Sequence, residues 1–132
     1  MLKEIVINTH SRIQMIPIVR EVESVIAESG VREGICLVWV PHTTGAVTIN
    51  ENADPTVVRD ILFATGKTFP VDDHFHHLEG NSDAHIKSSL FGPSLSCIIN
   101  EGRLLLGTWQ SLYFCEFDGP RRMHFYVKVT EG

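Results

Sequence analysis

Four of the seven histidines lie in one short polar stretch, between His74 and His85. Another, His42, follows an apolar run in the sequence VPHTTG, and the stretch from Gly102 to Arg121 contains a Trp-Gln pair and a carboxylate at strand-like spacing. Neutral imidazole is a good ligand for zinc and similar ions, and three protein ligands leave a fourth position open for water or substrate. We therefore expect these three stretches to converge on one polar, metal-binding pocket.

A simpler interpretation of the same histidines needs no metal. Their spacing matches no standard zinc signature. His74, His76 and His77 lie in an acidic, polar segment, which is also typical of a solvated loop, and His42 could be a hydrogen-bonded turn residue. On the residues alone the solvated loop is the better interpretation, with His74 and His76 as surface residues in either case.

Composition limits the class of protein. The chain has 132 residues, of which 43% are hydrophobic and 20% charged, as expected for one packed globular domain. Its net charge of −5 argues against a general nucleic-acid binder, whose surface should be basic. The cysteines Cys36, Cys97 and Cys115 lie in separate apolar runs, so we expect buried free thiols in a reducing cytoplasm. No secretory signal is visible, and no apolar run approaches the roughly 20 residues that cross a membrane.

The spacing of apolar residues and of helix-capping residues predicts two long helices and a shorter third one. Their expected ranges are 17–30, 54–66 and 82–90. Pro17 suits the first turn of the first helix, and Asp54 suits the N-cap of the second. The third helix begins with Ser82 as its cap, which places His85 in the first turn.

The remaining apolar runs are rich in β-branched and aromatic residues and predict strands separated by turns. Their expected ranges are 2–9, two strands within 34–50, 95–99, 103–106, 109–117 and 122–129. The run from Gly34 is almost free of charge, so we expect its two strands to be buried on both faces or nearly so. The chain is thus predicted to form a single α+β domain, residues 1–132, with a large, mostly antiparallel sheet and helices packed on it.

Three blocks of the sequence resemble one known family. They are HTTGAVTINENADP from His42, HLEGNSDAH from His77, and GRLLLGTWQ from Gly102 running on to EFDGPR. In this order they resemble the YjbQ-like family, described as secondary thiamine-phosphate synthases, over nearly the whole chain. The resemblance implies an α+β domain with a large mixed sheet and a homotrimer. It also implies an enzyme that joins a pyrimidine-methyl pyrophosphate to a thiazole phosphate and releases pyrophosphate, as a main or a side activity.

The resemblance implies roles for the first two blocks. The family's histidines fall on His42, His77 and His85, which become the candidate metal ligands, with zinc as the expected divalent ion. Its Gly-Asn turn falls on Gly80 and Asn81, which we expect to bind substrate. Because this turn leads into a helix, its free N–H groups could also hold an anion.

The third block supplies the remaining candidates. The family's Trp-Gln pair falls on Trp109 and Gln110, which could form a wall against a flat heterocycle, and its carboxylate falls on Glu116. Gln110 and Glu116 are candidate catalytic residues. Glu116 could orient a histidine, act as a general base, or simply pair with Arg103 or Arg121. Those two arginines are themselves candidates to bind a phosphate.

Two other functions remain open. A three-histidine metal site suits a hydrolase in which metal-bound water attacks and Glu116 acts as the base. The chain has no acidic run of the kind that holds magnesium pyrophosphate, apart from Asp72 and Asp73. The third possibility is a non-catalytic, trimeric module that binds a metal or small molecule. For each of the three functions we expect a small-molecule partner, which is phosphorylated if the protein is a thiamine-phosphate synthase. We expect it to bind neither nucleic acid nor a membrane.

Overall fold

The computed structural model describes residues 1–132, which form eight strands and three helices. In chain order these are β1 (Leu2–Asn8), β2 (Gln14–Pro17), α1 (Val19–Ser29), β3 (Gly34–Trp39), β4 (Gly45–Glu51), α2 (Pro55–Thr68), α3 (Ser82–Phe91), β5 (Ser94–Asn100), β6 (Arg103–Leu104), β7 (Gln110–Glu116) and β8 (Arg122–Glu131). The single α+β domain expected from the sequence is confirmed. No helix is both long and apolar enough to cross a membrane.

The strands divide between two sheets, and every pairing is antiparallel. The larger sheet has the order β1-β8-β3-β5-β6, and the smaller has the order β2-β7-β4. The single sheet expected from the sequence is therefore two sheets. Strands β3 and β4 follow each other in the chain but belong to different sheets. The loop between them, which carries His42, therefore connects the two sheets.

Two apolar clusters show how the layers stack. The larger cluster lies between the five-stranded sheet, α1 and one face of the three-stranded sheet, and it includes Val22, Phe114 and Phe125. The smaller cluster lies on the opposite face of the three-stranded sheet, beneath α2 and α3, and includes Tyr113 and Ala84. The three-stranded sheet is therefore the middle layer of the domain.

The central strand of this middle layer, β7, is covered on both faces. Leu112 and Phe114 point into the larger cluster, whereas Tyr113 and Cys115 point into the smaller one. This alternation follows from strand geometry, in which successive side chains point to opposite faces. Because both faces are covered, every residue from 111 to 116 is buried, and a polar side chain at the end of the strand needs partners.

The ends of the two long helices mostly follow their sequence signals. The α1 helix ends at Gly30, whose φ of 73° places it in the left-handed region that suits glycine. The Asp54 side chain caps α2 by accepting the N–H of Thr56 at 2.9 Å, as predicted. Pro17, however, ends β2 rather than opening α1. Its missing N–H is tolerated there because β2 is an edge strand.

The prediction that the run from Gly34 is buried on both faces is wrong for β3. Cys36 and Val38 lie in the core, but Ile35, Leu37 and Trp39 point outward and are exposed. We call this side of the five-stranded sheet the outer face. Three further exposed apolar residues lie on it: Leu2, Val6 and Ile98. An apolar surface of this kind is typical of a protein–protein contact.

Candidate functional site

The end of β7 carries a carboxylate, Glu116, that is fully buried. Its Oε2 accepts hydrogen bonds from the Thr9 hydroxyl at 2.9 Å and from Arg121 Nε at 3.1 Å. Its Oε1 accepts from Arg121 Nη2 at 2.8 Å and from the backbone N–H of Asp118 at 2.9 Å. Four hydrogen-bond donors therefore occupy both oxygens of the carboxylate. Among the roles expected for Glu116, the geometry therefore favours the ion pair with Arg121 over a general base.

Arg121 is the cation that this carboxylate holds in place. Its Nη2 also donates to the Thr44 hydroxyl, so the guanidinium is fixed from two sides. Its Nη1 donates to no group of the chain, and 34% of the side chain is exposed to solvent. A guanidinium that is fixed in one plane with a free edge is suited to phosphate or carboxylate. The phosphate contact expected of Arg121 stays a prediction.

His42 lies beside this ion pair, in the loop between β3 and β4. Its Nε2 lies 3.1 Å from the backbone oxygen and 3.2 Å from the backbone nitrogen of His124, and its tautomer decides which of the two contacts is a hydrogen bond. Burial lowers the pKa of His42, and the neighbouring His124 lowers it further, against the opposing effect of the backbone contact. The neutral imidazole is therefore favoured, and its Nδ1 remains available.

Two of the three expected metal ligands, His77 and His85, are brought together. Their ring centroids are 5.2 Å apart and the ring planes are perpendicular. Two imidazoles that bind one tetrahedral zinc ion at about 2.1 Å have centres about 5 Å apart, so this spacing fits a shared metal ion. His42 does not join them, and its ring centroid lies 4.8 Å from that of His124 instead. Within one chain, no group of three His, Cys, Asp or Glu side chains could hold a metal ion.

Asn81 begins α3 in the capping position that the sequence assigned to Ser82. Its Nδ2 donates to Asp118 Oδ2 at 2.7 Å, and this contact defines the amide orientation because an ionised carboxylate only accepts. The Asn81 Oδ1 is buried and has no hydrogen-bond partner. An unpaired buried acceptor is uncommon and suits a ligand that donates N–H or O–H. Gly80, with a φ of 74°, makes the turn before it.

A second charged cluster, near the first turns of α3, was not anticipated from the sequence. Arg12 Nη1 and Nη2 donate to the two oxygens of Asp83 at 3.0 and 3.1 Å, and Lys87 Nζ lies 3.5 Å from Asp83 Oδ2. Burial alone would raise the pKa of Asp83, but the hydrogen bonds and charge of Arg12 and the charge of Lys87 lower it overall. The available signal was the i, i+4 spacing of Asp83 and Lys87 on a helix.

Trp109 and Gln110 lie at the opposite end of β7 from Glu116. The strand runs from Gln110 to Glu116, so at about 3.3 Å per residue its ends are about 20 Å apart. Gln110 Oε1 accepts the N–H of Gly107 at 2.8 Å, and Trp109 is largely exposed. Both line an open cavity of about 360 Å³. One chain therefore contains two separate groups of candidate residues, not the single pocket that was expected.

Arg103 belongs to neither group. Its Nε donates to Glu23 Oε2 at 3.2 Å, and 79% of the arginine side chain is exposed. It follows the tight turn at Glu101 and Gly102, which directs its side chain toward the solvated side of α1. The alternative that Arg103 pairs with Glu116 is wrong, since Glu116 pairs with Arg121, and the binding of phosphate by Arg103 stays a prediction.

The fold and these groups define a class of small α+β proteins with two antiparallel sheets and a fixed arginine at one end of the central strand. The model of the family described as UPF0047 protein YjbQ-like matches residues 3–132. The chain belongs to this family, as its three sequence blocks indicated.

Relatives with this fold come from both bacteria and archaea. A UPF0047 protein of Methanocaldococcus jannaschii is 54% identical over 93% of this chain and 89% of its own length. The UPF0047 protein YugU of Bacillus subtilis is 49% identical over 98% of both chains. Among solved structures, a YjbQ/UPF0047 family protein from Clostridium acetobutylicum has a TM-score of 0.95 at 50% identity, covering 97% of this chain and 99% of that one. A protein from Aeropyrum pernix has a TM-score of 0.94 at 30% identity, covering 100% of this chain and 99% of that one.

Proposed function

We propose that this protein is a small-molecule transferase that joins a pyrimidine-methyl pyrophosphate to a thiazole phosphate and releases pyrophosphate, forming thiamine phosphate. The observation that carries the proposal is the guanidinium of Arg121. Glu116 and Thr44 hold it in place, and its Nη1 is left free for an anion. The departing pyrophosphate gains negative charge as its bond to carbon breaks, and a cation already held in position stabilises that charge without reorganising.

Other side chains support the binding of a flat, polar substrate. The unpaired Asn81 Oδ1 would accept a hydrogen bond from a donor on the substrate. Trp109 offers an exposed ring against which a heterocycle could stack. Glu116 acts through Arg121 as a positioning residue, since its own oxygens are occupied.

We propose further that the active protein is a homotrimer, in which neighbouring copies bring the two ends of β7 together. Arg121 and Trp109 are too far apart in one chain to contact the same small molecule. In a closed ring with head-to-tail interfaces, one end of each copy meets the opposite end of the next. The apolar outer face, with Ile35, Leu37 and Trp39, supports assembly because it leaves a large hydrophobic surface to be covered. We place this assembly in the cytoplasm, where three free thiols are stable.

A metal-dependent hydrolase is the second candidate function, and the spacing of His77 and His85 favours it. These two imidazoles fit one zinc ion, with a third ligand such as His42 coming from another copy. The bound ion would supply an activated water molecule for attack on the substrate. In this chain His77 and His85 would hold the ion, and Arg121 would bind an anionic part of the substrate.

The first experiment measures thiamine-phosphate formation by the purified, untagged protein, with and without a chelator. Arg121→Met should lower kcat/KM at least about 100-fold, since the leaving group loses its cation. Arg103→Met is the matched control and should keep wild-type activity, because Arg103 pairs only with Glu23 at the surface. Circular dichroism checks that both variants are folded. Equal activity in Arg121→Met and wild type would contradict the proposal, and no turnover of any substrate would favour a non-catalytic binding module.

The second experiment tests the metal and the assembly. Elemental analysis should find zinc in the wild type and little in His77→Ala or His85→Ala, whereas His74→Ala, at a fully solvated histidine, should change nothing. Chelation that abolishes hydrolysis but not transfer would favour the hydrolase. Light scattering should report three copies at micromolar concentration, and Trp39→Glu should shift the mass toward the monomer. A wild-type protein that stays monomeric would contradict the composite site.

A further inference from the structure

A separate cleft beside α3 has no role in the function proposed above. It has a volume of about 290 Å³ and lies between α3, the end of α2 and the loop after β1. Its buried side chains are Asp83 and Lys87, and Arg12 lines it at the surface. Apolar contacts come from Ile13, Pro70 and Val71. None of the residues that hold Arg121 lines this cleft.

Lys87 is a buried cation with too few acceptors. Only 3% of it is exposed, yet its ammonium has three N–H donors and a single partner, Asp83 Oδ2, at the long distance of 3.5 Å. Both oxygens of Asp83 already accept shorter bonds from Arg12, at 3.0 and 3.1 Å. Two cations therefore share one buried carboxylate. A buried ammonium group with donors unfilled is unfavourable unless another acceptor reaches it.

The other carboxylate of this region does not supply that acceptor. Asp118 Oδ1 lies 3.7 Å from Arg12 Nη2, and its Oδ2 accepts from Asn81 at 2.7 Å. Asp118 makes no ion pair with Lys87. Lys87 lines the cleft, and its ammonium group therefore has N–H donors for which the chain supplies no acceptor.

We propose that this cleft binds a small phosphate-type anion, whose oxygens accept from the free donors of Lys87 and from the guanidinium of Arg12. A tetrahedral oxyanion has several acceptors and can meet a lysine and an arginine at once. The volume accommodates phosphate with a short organic group, which Ile13, Pro70 and Val71 would contact. The site is additional to Arg121 and does not rest on the proposed transferase activity.

The test is isothermal titration of the full-length protein with inorganic phosphate at constant ionic strength. The wild type should bind one phosphate per chain in the cleft. Any phosphate that is lost in Arg121→Met is bound by Arg121 and is counted separately. Lys87→Met keeps the length of the side chain and removes its charge, so binding in the cleft should weaken at least about tenfold. Lys3→Met, at an exposed lysine that pairs with Glu28 and does not line the cleft, is the matched control and should bind as the wild type does.

A second variant keeps the test valid if Lys87→Met does not fold. Val71 is exposed at the cleft, so Val71→Glu should fold normally and place a carboxylate against the free donors of Lys87. Val71→Glu should abolish phosphate binding in the cleft, whereas Val71→Gln should retain it. Unchanged phosphate binding in Lys87→Met or in Val71→Glu would overturn the proposal. Tighter binding of ethyl phosphate than of inorganic phosphate would identify a phosphate monoester as the ligand, and the reverse order would identify the free ion.

Discussion

Replacing Glu116 by glutamine separates a structural role from a catalytic one. The substitution keeps the volume of the side chain, but an amide accepts at one end and donates at the other, whereas the carboxylate accepts at both. Arg121 donates to each carboxylate oxygen, through Nε to Oε2 and through Nη2 to Oε1. Whichever way the amide is turned, its NH₂ group faces an N–H of Arg121. At least one hydrogen bond becomes a contact between two donors, and Arg121 loses its counter-ion.

The free energy of unfolding should fall by about 3 kcal/mol in Glu116→Gln. A hydrogen bond to a charged group contributes roughly 1.5–3 kcal/mol, and removing one partner of a buried ion pair costs roughly 3–5 kcal/mol. Since 34% of the Arg121 side chain is exposed, water solvates part of its charge, and the lower end of that range applies. The loss is large against a total stability of about 5–15 kcal/mol.

Urea unfolding at about pH 7 and a fixed protein concentration measures this loss. The matched control is Glu23→Gln, which removes the carboxylate from the exposed pair with Arg103. That pair is solvated, so its loss should change stability by less than about 0.5 kcal/mol. A Glu116→Gln protein with the wild-type midpoint and slope would refute the ion-pair reasoning. If it also lost turnover, Glu116 would be the catalytic base after all.

Three further predictions concern pH, thiol chemistry and helix capping. The pKa of His42 is lowered in the folded protein, mainly by burial, so the unfolded chain binds a proton more readily. The free energy of unfolding should therefore decrease as pH falls below about 6.5, and this decrease should be smaller in His42→Gln. Urea unfolding at several pH values measures the decrease. Identical pH profiles for the variant and the wild type would contradict the role of His42. Burial raises the pKa of Cys36 to about 12 and also raises the pKa values of Cys97 and Cys115. No thiol should therefore react with Ellman's reagent at about pH 8 until the protein unfolds. Rapid labelling of the folded protein would argue against the burial of these thiols. Asp54→Ala removes the cap of α2 and should lower the free energy of unfolding by about 1 kcal/mol, whereas Asp54→Asn should restore most of it.

The elements with a clear period or cap were predictable from the sequence. The apolar stripe of α1, the Asp54 cap and the alternation along β7 all depend on neighbours in the chain. The short β2 was missed because four residues carry no recognisable period. The exposed face of β3 was missed for a different reason. Its outward residues, such as Leu37, are as hydrophobic as its inward ones, so local composition does not reveal which face is covered.

The candidate site was predictable only where a distinctive motif carried it. Arg121 and Asn81 lie in such motifs, and both have the free polar groups expected of ligand-binding residues. Thr9 and Thr44 hold the ion pair, but a single threonine in an ordinary run has no signal of its own. Lys87 was missed because the burial of its charge depends on how α3 packs against the rest of the domain. Such contacts between distant segments exist only in the folded chain.

The position of β8 in the larger sheet affects how the protein is made. The order β1-β8-β3 means that the first strand pairs only with the last, so that Leu2 meets Lys128. During synthesis β1 and β3 therefore leave the ribosome long before β8, which pairs with both of them. Until β8 is made, each of these two strands exposes unpaired backbone groups along the edge that later pairs with β8. The larger sheet can close only after residue 131 is free. Pairings between such distant segments fold slowly, so the nascent chain is open to aggregation or chaperone binding for most of its synthesis.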